Sequence, residues 1–93
     1  MKETVFDCEG NGLHPSRIYC LCYTNYNKSG KIETLDDYQE MREVLKEDQY
    51  LVGHYITGFD IPSLERVLEI KIKANLVDTL ALSWYLFPLR TKQ

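Results

Sequence analysis

The sequence predicts a mixed α/β fold in which a three-strand antiparallel meander is extended by parallel strands and flanked by helices. Three observations predict it. Up to Thr34, β-prone runs alternate with turn residues. From Leu35 the apolar spacing switches to a helical period. Beyond that, short apolar runs and helical stretches alternate, giving the order β-β-β-α-β-α-(β)-α. Parallel strands added in this way cross over right-handedly.

The chain opens with a β-prone run, Thr4 to Glu9, stopped by Gly10, Asn11 and Gly12. Turn chemistry continues through Pro15 and Ser16. Residues 17–25 are rich in Tyr, Ile, Cys and Leu and read as a buried second strand. Asn27, Lys28, Ser29 and Gly30 form a turn into a short third strand, Lys31 to Thr34.

Asp36 with Gln39 three positions on resembles a capping box, and Leu35 is placed as its hydrophobic staple. Tyr38, Met41, Val44 and Leu45 then follow at helical spacing to about Lys46. The apolar stretch Tyr50 to Gly53 has the length of a buried parallel strand. Gly58 ends a loop, and Asp60, Ile61 and Pro62 begin a second helix whose core face is Ile61, Leu64, Val67 and Leu68. Ala74 to Val77 is one more short strand. Asp78 and Thr79 cap a third helix carrying Leu80, Leu82, Trp84 and Leu86 and ended by Pro88.

Ninety-three residues make one domain, 1–93, and exclude barrel enzymes of about 250 residues. A hydrophobic share of 44% and a charged share of 27% are those of a globular chain. The net charge is −3, with 6 Lys/Arg against 11 Asp/Glu in residues 1–60 and 5 against 3 beyond. That balance argues against a strong phosphate-neutralising surface and leaves room for an acidic cluster that holds metal ions. No apolar run of about 18 residues exists, so no membrane span is expected. The N-terminus lacks the apolar stretch of a signal peptide, and cytoplasm is the expected location. Cys8, Cys20 and Cys22 are an odd count without a CxxC pair and are expected as free thiols.

Asp7 and Glu9 lie two apart on the first strand and therefore share a face. Two neighbouring carboxylates repel unless a cation lies between them, and hard cations such as Mg²⁺ and Mn²⁺ take such oxygen ligands. Asp60, read by itself, is equally a helix N-cap. In a parallel addition beside the first strand it would reach the same sheet end as Asp7 and Glu9, where open α/β sheets bind ligands.

Phe6-Asp7-Cys8-Glu9-Gly10-Asn11-Gly12-Leu13 resembles the first motif of the DEDD exonucleases, a D-x-E followed by a small-residue turn and Leu. The stretch Val52 to Leu64, with Gly58-Phe59-Asp60 at its centre, resembles the second, N-x-x-x-[FY]-D. Val77-Asp78-Thr79-Leu80-Ala81-Leu82-Ser83 resembles the D-T-L-x-L-S stretch that follows. In this order they are similar to the 3′–5′ proofreading domain of family A DNA polymerases, most closely the phage type, from Val5 to about Leu86.

The resemblance implies a ribonuclease-H-like fold and hydrolysis of the 3′-terminal phosphodiester of single-stranded DNA with two Mg²⁺ or Mn²⁺ ions. Asp7 would bridge the two metals, Glu9 would bind the one that activates water, and Asp60 would serve the other. Leu13 would pack near the terminal base, Phe59 would wall the site, and Asp78 would start a helix rather than bind metal. Tyr55 stands where the family has Asn, with His54 beside it as an imperfect substitute, so both bear on substrate grip.

The family's fourth carboxylate comes from a downstream Y-x-x-x-D or H-x-x-x-x-D helix, and no Asp or Glu follows Asp78 here. The resemblance therefore implies a C-terminally truncated domain, with weak metal binding and little activity alone. The expected partners are a single-stranded DNA 3′ end and the remainder of a DNA polymerase. A second copy is a further one, through apolar surface that the missing helices would cover; Trp84 to Phe87 is the candidate patch. The alternative reading is a non-catalytic ribonuclease-H-like binding module or the companion subunit of a split polymerase.

Overall fold

The computed structural model describes residues 2–25 and 30–88. Among the described residues five strands form one mixed sheet in the order β3-β2-β1-β4-β5. β1 (Lys2–Gly10), β2 (Ile18–Asn25) and β3 (Glu33–Leu35) make the antiparallel meander, and β4 (Gln49–Gly53) and β5 (Asn75–Asp78) run parallel to β1. The expected mixed sheet is the one observed. Its central strand is β1, flanked by β2 on one side and β4 on the other. Of the turn expected from Asn27 to Gly30, only Gly30, in a left-handed conformation (φ 78°), lies within the described residues.

Alternation along β1 separates the two faces of the sheet. Thr4, Phe6 and Cys8 are buried, while Val5, Asp7 and Glu9 are exposed. The buried face meets α1 (Tyr38–Leu45), α2 (Ile61–Leu68) and the turn before α2. Phe6, Leu21, Met41, Leu45, Leu51, Ile56, Leu64 and Leu68 form the core there. On the other face, Glu3, Val5, Tyr50, Val52 and Val77 line a shallow apolar groove of about 450 Å³.

Two buried polar side chains in this core satisfy each other. The Thr4 hydroxyl donates to Gln49 Oε1 at 2.6 Å, and Gln49 Nε2 donates to the Val44 carbonyl at 2.8 Å. Together they tie β1, β4 and the end of α1 without leaving a buried group unpaired. Arg42 Nε donates to the Leu68 carbonyl at 3.0 Å, joining α1 to the last turn of α2.

Several boundaries differ from the sequence reading. The cap of α1 is Asp37, whose Oδ2 accepts from the Glu40 amide at 2.9 Å, so the expected Asp36 and Gln39 box is displaced by one residue. Both aspartates can cap, and the register of Met41 and Leu45 on the core decides which one does. The third strand is Glu33–Leu35 rather than Lys31 to Thr34, because Leu35 pairs with Leu21 and packs against the core. The loop expected to end at Gly58 is instead a π-helical segment, Ile56–Asp60. α3 (Thr79–Leu86) buries none of its side chains, so Leu82, Trp84 and Leu86 are exposed on the surface. No helix among the described residues is long and apolar enough to cross a membrane.

Candidate functional site

β1 and β4 are parallel, so their C-terminal ends lie at one edge of the sheet. Asp7 and Glu9 stand on the exposed face of β1 at that edge. Opposite them on β2 are Cys22 and Cys20 respectively. The register slips between Glu9 and Gly10, so Gly10 faces Ile18 and the exposed Tyr19 is skipped. Bulges of this kind add local twist and re-aim the neighbouring side chains. The loop that follows is closed by Asn11, whose Oδ1 accepts from the Ser16 and Arg17 amides at 3.0 and 3.2 Å. Gly10 is required here, because a Cβ would press on Pro15 at 2.8 Å. Leu13, at the tip of the loop, is 95% exposed, and no described contact brings it to the acids.

Asp60 reaches the same edge by a different route. After β4, Tyr55 takes a left-handed conformation (φ 59°, ψ 32°), which is uncommon for a bulky residue. It turns the chain into the π-helical segment, which runs directly into α2 with the Ile61 amide bonded to the Ile56 carbonyl. Single π-turns of this kind recur at functional sites. Asp60 stands at the N-cap position of α2, as its place before Pro62 suggested, but it is helical (φ −63°, ψ −49°) and its side chain makes no capping bond. Its carboxylate points to β1 instead, where Oδ2 accepts from the Cys8 amide at 3.2 Å.

Asp60 is only 4% exposed. Burial is the main cause that raises its carboxyl above the ordinary range, and the negative charge of Asp7 adds to it, while bonds from Cys8 oppose it. The Cys8 thiol is pushed far up, first by burial and then by the charges of Asp60 and Asp7, and it stays protonated. Cys20 is also raised, by burial first and then by Cys22, Glu9 and Asp7. The pairing of Asp7 with Cys22 and Glu9 with Cys20, and the bond from Cys8 to Asp60, place these groups at one end of the sheet. As the side chains stand, no three His, Cys, Asp or Glu groups among the described residues are close enough to enclose an ion. The structure thus brings Asp60 beside β1 between Asp7 and Glu9 in the chain, with the exposed acids on the open face and Asp60 on the core side.

Three of the other expected residues lie on the segment between β4 and Asp60. Phe59 is half-buried against the core, with its amide donating to the Tyr55 carbonyl at 3.1 Å. The Tyr55 ring lies over Gly58, where a Cβ would collide with it. His54 Nδ1 is 2.9 Å from the Thr79 hydroxyl.

Asp78, at the end of β5, was read in the sequence only as a helix start, and it does more. Its Oδ1 accepts from the amides of Tyr55, Leu80 and Ala81 at 2.9, 3.0 and 3.3 Å. Its Oδ2 accepts from the Thr57 amide and hydroxyl at 2.9 and 2.7 Å. Burial acts to raise its carboxyl, but the bonds from Thr57, Ala81 and Tyr55 outweigh it and hold the group well below the usual carboxylate range. The residue spacing carried no sign of the link to Thr57; a Thr three residues before Asp60 is unremarkable by itself.

No family model matches the chain, and no curated protein matches its sequence. The fold is similar to that of Escherichia coli Exonuclease I, solved in complex with a 5cy-dA13 oligonucleotide, with a TM-score of 0.74 at 12% identity. The match covers 96% of this chain and 30% of that one. The ribonuclease-H-like mixed sheet with flanking helices expected from the sequence is therefore the fold of the chain.

Proposed function

We propose that the chain is a metal-dependent 3′–5′ DNA exonuclease module of the proofreading kind, of the phage DNA polymerase type. One observation carries the reading. The bond from the Cys8 amide to the Asp60 carboxylate joins the acid of the second motif to the strand that bears the acids of the first. The likeness in fold to an exonuclease solved with an oligonucleotide supports the nuclease class and a single-stranded DNA 3′ end as substrate. The three motifs in order support the proofreading family.

Asp7, Glu9 and Asp60 are the residues that would hold Mg²⁺ or Mn²⁺. Their chemistry fits such an ion, since all three offer carboxylate oxygens, and a cation would offset the cost of the buried charge on Asp60 and its repulsion from Asp7. A bound metal supplies water activation and charge stabilisation for phosphodiester hydrolysis. The chain's own residues position the substrate. Phe59 supports the wall of the site, Leu13 is exposed to meet a terminal base, and His54 and Tyr55 border the edge where the strand would lie.

No Asp or Glu follows Asp78 within residues 1–93 to serve as the family's fourth carboxylate. The effects of residues that act as one unit are strongly non-additive, and losing one member can cost about as much as losing all. This polypeptide alone is therefore expected to bind metal weakly and cleave poorly until a completing polypeptide, the remainder of a polymerase, is present. A second reading, a non-catalytic binding module or companion subunit, is favoured by the apolar groove on the open sheet face. A second copy of the chain would compete for the same surface.

Thermal unfolding with increasing Mn²⁺ tests the reading, because a cation bound only by the folded state raises the midpoint. The midpoint is expected to rise, and to rise less in Asp7→Ala. No rise, or an equal rise in that variant, removes the metal site. End-labelled single-stranded DNA, incubated with the chain alone and with a candidate completing polypeptide, separates the two readings. Shortening from the 3′ end only in the mixture supports the exonuclease module. Retention of DNA without cleavage in the mixture supports the binding module.

A further inference from the structure

We infer that Asp78 is a positioning residue of the candidate site, holding through Tyr55 and Thr57 the segment that sets Asp60. Capping α3 needs only the bonds to Leu80 and Ala81, which any short polar side chain can supply. The other three bonds reach back 21 and 23 residues to the turn after β4. They meet it where the backbone is least favourable, at left-handed Tyr55, and again at Thr57, the second residue of the π-helical segment. That segment is a single turn from Ile56 to Asp60, closed by the Ile61 amide on the Ile56 carbonyl. A shift at Thr57 therefore moves Asp60 and its bond to Cys8.

Two further contacts fasten the same corner. The Thr79 hydroxyl donates to the Gly53 carbonyl at 3.3 Å and lies 2.9 Å from His54 Nδ1. α3 buries no side chain, so the core does not require its start to be held so firmly. The structural element that gains from the anchor is the one that ends at Asp60.

The inference rests on the proposed function only for what Asp60 does; the holding of the segment stands apart from it. Asp78→Asn keeps Oδ1 as an acceptor and turns an amide donor toward the Thr57 amide. Native-state amide exchange on the full chain is expected to speed up about tenfold or more at residues 55–61, with a smaller change in β1 and β2. The affinity for Mn²⁺ is expected to fall by roughly 10–100-fold, the usual cost of losing a partner that orients a ligand. Thr57→Val is expected to move both readouts the same way by less, and Thr57→Ser to restore them. Asp37→Ala, which uncaps the remote α1, is expected to lower stability without changing Mn²⁺ affinity.

Equal acceleration at all amides overturns the inference, as does an Asp78→Asn affinity no weaker than that of Asp37→Ala. If the native chain binds no Mn²⁺, the metal reading falls and the exchange pattern alone decides. Acceleration confined to 55–61 then upholds Asp78 as the anchor, and uniform acceleration removes it.

Discussion

Gly53→Ala is expected to destabilise the chain sharply, although its backbone is not in the left-handed region and alanine is a better strand residue. Gly53 closes β4 at the point where the chain turns toward Asp60. A Cβ there would stand 2.9 Å from the Phe6 carbonyl oxygen and collide with Cγ2 of Ile56. Neither neighbour can yield easily. Phe6 belongs to the central strand, which is paired on both sides, and Ile56 is fully buried. Overpacking a core site costs about 1–3 kcal/mol, and two rigid clashes argue for the upper end. Replacing Gly by Ala recovers about 0.4–1 kcal/mol from the unfolded chain. The net expectation is a loss of about 2 kcal/mol, a fall of roughly 8–16 °C in Tm for a chain of this size.

The assay is urea unfolding followed by far-UV circular dichroism, since Trp84 is exposed and reports poorly on the core. Ile56→Ala, made alone, opens a cavity and costs about 2–5 kcal/mol. In the double variant one clash disappears, so its loss is expected to be about 1–2 kcal/mol less than the sum of the two singles. Additivity to within about 0.5 kcal/mol, or a Gly53→Ala variant as stable as the native chain, would show that the close approach of β4, Phe6 and Ile56 does not govern this corner.

Three further outcomes are expected. Asp60→Asn removes a buried charge while keeping an acceptor for the Cys8 amide. Because the folded-state pKa of Asp60 is raised, the native chain loses stability as pH climbs from the unfolded to the folded value. The variant is therefore expected to gain Tm over the native chain at pH 7 and to lose that advantage at pH 3; an advantage that grows on acidification contradicts the sign. Asp37→Ala is expected to cost about 1 kcal/mol by urea unfolding and Asp36→Ala almost nothing, and the reverse order would restore the displaced cap. Leu51→Ala is expected to cost about 2–5 kcal/mol and Leu82→Ala under about 0.5 kcal/mol, with comparable losses showing that α3 is packed after all.

What the sequence disclosed follows physical lines. Strand alternation made Asp7 and Glu9 share a face, and period-2 geometry leaves no other arrangement once β1 is a strand. The core faces of α1 and α2 were legible for the same reason: Met41, Leu45, Leu64 and Leu68 recur at helical spacing. The π-helical segment was not legible, because one extra residue in a turn has no compositional mark. The sequence Ile56-Thr57-Gly58-Phe59-Asp60 reads as a loop because of Gly58, yet that glycine is there to admit the Tyr55 ring. The capping register of α1 failed by one position because two aspartates stood side by side and only packing separates them. The exposed end of α3 was legible in the apolar run Trp84 to Phe87, whereas the exposure of Leu82 one turn earlier had no mark in the spacing.

These misses share a cause that bears on the site. The acids of β1 are positioned by the strongest local rule available, strand alternation, and need little from the rest of the chain. Asp60 is positioned by a left-handed Tyr55, a one-turn π-helix and a carboxylate 18 residues further along, none of which local propensity favours. Local conflict with propensity persists only where tertiary contacts over-determine it. Here those contacts are identifiable: the Cys8 amide on Asp60, and Tyr55 and Thr57 on Asp78. A carboxylate raised chiefly by its burial and held by such a device is a net cost to the folded chain at neutral pH, and generic stability does not account for it. The proposed site supplies a reason: it needs that carboxylate at the end of β1, where Asp7 and Glu9 face solvent.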